Sequence, residues 1–201
     1  MSVKKLVPLS GVLAVLAIIA AFLVSGDTPD DDASLDTIAS YYIDNDSALQ
    51  FTGLLLFLGA FFFLIFSTKL FGILRREEGE TGGLSAFGFA GGILFAVGLT
   101  IFAGLNFAGG TAAEDLDPVA LQTINILNNN LFFPLELGVA VFYLASGIGI
   151  VKTGMLPKWL GWVAVVAGVV ALTPAGFVSF LLLGLWTIVV SVMLAMRADT
   201  A

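Results

Sequence analysis

The sequence predicts an all-α fold: a single transmembrane domain over residues 1–201 with about six spans, both termini cytoplasmic and two short helices on the outer side. Three observations predict it. The chain is 59% hydrophobic and 11% charged, with a mean hydropathy of +1.05, more apolar than a soluble domain of 201 residues can be in water. Its apolar residues fall in blocks of span length, since about 20 residues are needed to cross a hydrocarbon core about 30 Å thick. All eight Lys and Arg residues sit at block ends that share one side, which the positive-inside rule assigns to the cytoplasm.

The expected spans are residues 6–25, 51–74, 84–106, 131–151, 158–174 and 177–196. Lys4 and Lys5 precede the first span, and the small residues "VSG" close it before Asp27, a layout shared with secretory signals. Its uninterrupted apolar length exceeds the usual core of about 7–15 residues, so a retained helix is expected. Lys69, Arg75 and Arg76 end the second span, Lys152 and Lys158 bracket the turn between the fourth and fifth, and Arg197 follows the sixth. Lys69 is expected to snorkel to the cytoplasmic surface. The last two spans form a hairpin joined by Thr173, Pro174, Ala175 and Gly176.

The outer segments, 27–49 and 107–130, carry ten carboxylates and no Lys or Arg. In "LDPVALQTINILNNN", Asp117 is an expected N-cap with Pro118 at the first helical position, and Val119, Ile124 and Leu127 give an apolar edge. In "SLDTIASYYIDN", Ser34 or Asp36 caps a second short helix, with Ile38, Tyr41 and Tyr42 placed to rest on the membrane interface. Shifted by 81 residues, Leu35, Asp36, Ala39, Ile43, Phe51, Leu54 and Phe61 meet Leu116, Asp117, Ala120, Ile124, Phe132, Leu135 and Phe142. That predicts a unit of outer helix and two spans used twice about a pseudo-twofold axis.

Packing is signalled by small residues. Gly88 and Gly92 lie four apart in the third span, and Gly168 sits between Ala164 and Ala171 in the fifth, so these two spans are expected to be inner helices. The run "FLGAFFFLIF" is expected to face lipid or fill gaps around them.

Chemistry is sparse. Without cysteine or histidine, the chain has no disulfide, no thiol nucleophile, no Cys/His metal site and no side chain that titrates near neutrality unperturbed. Ser146, Ser179 and Ser191 have no Lys at a recognisable spacing, and "DTPDDD" lacks the glycine and terminal glutamate of a calcium loop. No phosphate-cradling loop, zinc motif or nucleic-acid patch is present, and no cofactor or metal is expected.

The exception is Glu136 in "NNNLFFPLELGV". Placed about 8 Å inward of Leu131, its carboxylate lies below the outer interface with every cation of the chain at the far side. Three states are open to it: protonated, solvated by an outer vestibule, or holding a cation or basic group. Asn106, Gln50, Thr52, Asn128, Asn129 and Asn130 are its expected polar neighbours, and a kink at Pro134 would free nearby carbonyls. A plain hydrogen-bonded structural carboxylate is the competing reading.

"SLDTIASYYIDN", "LRREEGE" and "LPKWLGWVAVVAGVVAL" together resemble small uncharacterised bacterial integral membrane proteins of about six spans. The resemblance implies a bacterial cell membrane, multi-pass insertion and no assigned activity or site. The expected function is non-enzymatic: binding of a small or lipophilic ligand, or a cation, at an outer pocket near Glu136. The alternative is a structural or regulatory subunit whose acidic outer face recruits a membrane protein partner, or a further copy of itself. A channel or transporter component ranks third, for want of polar residues through the inner halves of the spans.

Overall fold

A computed structural model describes residues 3–79 and 82–197; Glu80 and the side chains of Lys4 and Lys5 lie outside the described residues. Eight helices follow in order: α1 (Val3–Ser25), α2 (Leu35–Asp44), α3 (Asp46–Glu78), α4 (Gly83–Thr111), α5 (Pro118–Asn130), α6 (Phe133–Thr153), α7 (Lys158–Val170) and α8 (Gly176–Arg197). Among the described residues, five segments are long and apolar enough to cross a membrane: Val7–Ser25, Asp46–Glu78, Gly83–Thr111, Pro118–Thr153 and Gly176–Arg197. The protein is therefore an all-helical membrane protein.

The expected fifth span is shorter than the sequence suggests. α7 has 13 residues, about 20 Å of helix, and residues 171–175 are turns. Pro174 explains the early stop, because it disfavours helical backbone at Thr173. The Thr173 hydroxyl accepts from the Ala175 amide at 3.2 Å and locks the turn.

The six long or apolar helices close into a ring. α1 packs on α3, α3 on α4, α4 on α6, α6 on α7, α7 on α8 and α8 back on α1, while α6 also reaches α3 and α8 across the middle. α6 is thus the central helix. The expectation that the fifth span lies inside is overturned: α7 buries only Leu160, Gly161, Ala164, Ala167 and Gly168, and Trp159, Trp162, Val166 and Val169 are exposed on its far side. Its small residues mark one seam with α6, where Gly147 and Gly161 meet backbone to backbone.

The twofold arrangement is likewise not realised. Exchanging α3 with α6 and α4 with α7 would map the α4–α6 seam onto a seam between α7 and α3, which do not pack together. The order of elements repeats; their packing does not.

Aromatic side chains fill the ring. Phe142 lies with its centroid 5.1 Å from that of Phe63, 5.2 Å from Phe71 and 6.1 Å from Trp186. Phe63, Phe66, Phe95 and Phe142 are all buried, whereas Phe57 and Phe61 point outward. "FLGAFFFLIF" therefore divides between core and lipid, following helical period. Trp186 fixes α8 to α7 by donating to the Leu160 carbonyl at 3.0 Å.

Helix ends follow local chemistry. Ser34 accepts from the Thr37 amide at 3.2 Å and Asp117 from the Val119 amide at 2.8 Å, so both outer helices start at the expected caps. α6 ends at Gly154, whose φ of +69° is a left-handed C-cap that favours glycine. Pro134 stands in the first turn of α6, where a missing N–H is harmless, and the segment Pro118–Thr153 is interrupted just before it, at Leu131 and Phe132.

Candidate functional site

Two short amphipathic helices cannot each bury an apolar face alone, and α2 and α5 solve this by packing on one another. Ile38, Tyr42, Leu49, Ala113 and Leu121 form a second core above the bundle. This corrects the expected placement of α2 on the membrane interface: Ile38 and Tyr42 point into the cap, and Tyr41 is half-buried with its hydroxyl donating to the Ser25 carbonyl at 3.0 Å. On α5 the buried positions are Leu121 and Asn125, while Val119 and Leu127 face outward. Burial, reinforced by Tyr41, pushes the Tyr42 phenol above its usual value.

The asparagines bind the cap together. Asn125 and Asn129 both donate to the Pro29 carbonyl at 3.0 Å, Asn129 donates to Asp31 at 2.9 Å, and Asn130 donates to the other Asp31 oxygen at 2.6 Å. A loop about 100 residues away in sequence is thereby clamped to the end of α5. Hydrogen bonds from Asn130 and then Asn129 hold the Asp31 carboxyl below the usual aspartate value.

The sign of the linkage follows. A depressed native pKa contributes stability that is complete above the ordinary aspartate value of 3.8 and is lost as pH falls through the lowered native one. We expect the Ala33 amide, which donates to the Asp30 carbonyl at 3.1 Å, to lose hydrogen-exchange protection on acidification in that window, and Asp31→Asn to reproduce the loss at neutral pH. Retained protection in the variant contradicts the clamp.

The other expected site residues are dispersed. Asn106 donates to Asn128 at 3.1 Å and to the Phe102 carbonyl, joining α4 to α5. Thr52 donates to the Ala21 carbonyl at 3.4 Å, between α3 and α1. Gln50 sits half-buried where α3 crosses Gly110. Among the described residues none of these is hydrogen-bonded to Glu136.

Glu136 faces α8 instead. It is half-buried in the first turn of α6, and a methyl group placed on Gly176 would lie 2.9 Å from its Oε1 and 3.0 Å from the Ala171 carbonyl oxygen. Gly176 opens α8, so the carboxylate stands at the partly positive end of a helix. No N–H of that helix end bonds to it among the described residues, and forty residues of separation hid the contact from sequence reasoning.

Charge is polarised along the bundle. The ten cap carboxylates, Asp27, Asp30, Asp31, Asp32, Asp36, Asp44, Asp46, Glu114, Asp115 and Asp117, are all exposed. Lys69, Arg75, Arg76, Lys152, Lys158 and Arg197 lie toward the other end, where Arg197 donates to the Met155 carbonyl and Glu78 accepts from the Ser85 amide at 3.0 Å.

A closed helical ring of span-length apolar segments, under a small folded acidic cap, defines a polytopic integral membrane protein. A family model described as "Domain of unknown function (DUF4386)" matches residues 9–198, and the chain belongs to this family. No curated protein and no solved structure matches it.

Proposed function

We propose that the protein is a non-enzymatic subunit of the bacterial cytoplasmic membrane that recruits a basic partner through its outer acidic cap. The observation that carries this reading is the cap itself: ten exposed carboxylates and no Lys or Arg, on a unit with its own apolar core and with Asp31 clamped by asparagines. Among the described residues no three of these carboxylates converge as metal ligands. Charge spread over a surface favours an extended cationic partner, through steering and complementarity.

The chain supplies its own test. Because the outer segments have no lysine, a zero-length carbodiimide applied from the outer side joins cap carboxylates only to amines of another molecule. A higher-mass adduct is expected in native membranes, and it should be lost when Asp30, Asp32, Asp36 and Asp115 become asparagine together. Absence of an adduct, or an adduct indifferent to those changes, contradicts the reading.

A second reading, a ligand or cation site at Glu136, is favoured by one observation: the carboxylate makes no hydrogen bond or ion pair among the described residues. Under it, Glu136→Gln abolishes the thermal stabilisation given by a bound cation and leaves cap cross-linking intact.

A further inference from the structure

A groove runs between α1 and α3 on the outside of the ring, toward the basic end. Two concavities of about 350 and 490 Å³ share Val7 and Ile65 and so form one trough. Leu9, Leu13 and Phe62 line its apolar length, and Lys69 and Arg76 line its end. These two cations are seven positions apart, which places them on one face of α3 about 10 Å apart along the axis.

Neither cation is hydrogen-bonded or ion-paired among the described residues. Glu77 directly follows Arg76, but adjacent helix positions do not face each other. Between the cations lies Gly72, where an added methyl would meet nothing within 4 Å, so the floor of the groove is open. At the helix seams, by contrast, glycines are filled by a neighbour's side chain, as Gly88 is by Phe71 and Gly92 by Ser67, while Gly72, like Gly104, is open on the outer surface. Here the vacant space combines an apolar trough with unpaired positive charge at its membrane-surface end.

We infer that this groove is a binding site for an anionic phospholipid, with its phosphate between Lys69 and Arg76 and an acyl chain lying along α1 past Leu13. The fit rests on complementarity of both parts: an anion against two unpaired cations, and a chain against aliphatic and aromatic walls at membrane depth. Snorkelling alone would carry Lys69 to the surface, but it does not account for a trough that continues from the cations into the apolar region. The lipid comes from the leaflet at the basic end, which the positive-inside rule makes cytoplasmic. Basic pockets between spans on that side are one known form of headgroup recognition.

The test is native mass spectrometry of the full chain released from micelles containing phosphatidylglycerol and phosphatidylcholine. The unaltered protein should retain phosphatidylglycerol in preference. Lys69→Gln with Arg76→Gln should weaken that retention about thirtyfold, at about 1 kcal/mol for each basic residue. Lys152→Gln with Lys158→Gln removes equal charge elsewhere at the same end and should leave retention unchanged. Gly72→Leu adds bulk only to the open groove, and should reduce retention while thermal stability holds. The inference is overturned if both charge pairs have equal effects, if Gly72→Leu retains lipid fully, or if inorganic phosphate alone displaces the bound species.

Discussion

Gly138→Ala is expected to destabilise the bundle by about 3 kcal/mol, at the upper end of what overpacking costs. The methyl group would lie 2.4 Å from the Phe95 amide nitrogen, 2.8 Å from the Phe95 Cα and 3.0 Å from the Gly91 carbonyl oxygen. All three are backbone atoms of α4, which cannot rotate aside as a side chain would, so α6 and α4 must separate along their whole seam. Helices in lipid associate through close packing in place of a hydrophobic drive, which makes such a separation costly. Gly104 provides the control, since a methyl there meets nothing within 4 Å. Reversible unfolding in detergent should show a large loss for Gly138→Ala and little change for Gly104→Ala. Equal midpoints for the two variants would contradict the seam.

Phe142→Ala should have an effect of similar size. The ring is fully buried and touches Phe63, Phe66 and Phe71 of α3 as well as Trp186 of α8. Removing a buried phenylalanine from a soluble core costs about 3–5 kcal/mol. In a membrane the unfolded helices still leave the ring in an apolar medium, so the transfer part falls away. What remains is the cavity and the lost dispersion contacts, which places the expectation at the lower end, about 3 kcal/mol. Phe61→Ala should be close to neutral by the same measurement, because Phe61 is 52% exposed on the outer surface of the bundle. A reversal of that order would mean that the phenylalanine run has been assigned to the wrong faces.

These two phenylalanines also show where sequence reasoning loses its grip. A soluble helix displays its inward face as an apolar stripe, but a span surrounded by lipid is apolar on both faces. Periodicity therefore carries little contrast, and Phe61 and Phe63 look alike in the sequence. What remained legible was whatever depends on short-range chemistry or on charge: the extent of most spans, the Ser34 and Asp117 caps, and the collection of acidic and basic residues at opposite ends. The cap was read half correctly. Its helices were visible, but their mutual packing inverted the faces assigned to Tyr42 and Val119, since the partner of α2 is α5 and not the membrane.

The candidate site failed for a related reason. Glu136 was legible as an unusual residue, and the three asparagines stood out beside it. Nearness in sequence suggested one polar site, whereas α5 ends at Asn130 and α6 begins at Phe133, with a two-residue turn between them. That break sends Asn129 and Asn130 to Asp31, and Glu136 to Gly176. Both partners are small or acidic residues in segments that look like ordinary loops, and no local signal marks them.

Recruitment of an outside partner by the cap requires the acidic cap and the basic end to face opposite sides of the membrane. The absence of cysteine allows this to be measured with single introduced thiols. Asp30→Cys and Asp115→Cys in the cap, and Glu77→Cys at the basic end, should be labelled in separate preparations of intact cells by a maleimide that does not cross membranes. Immediate labelling is expected at both cap positions, and labelling at residue 77 only after the membrane is permeabilised. Labelling of residue 77 in intact cells, with the cap positions protected, would contradict that sidedness.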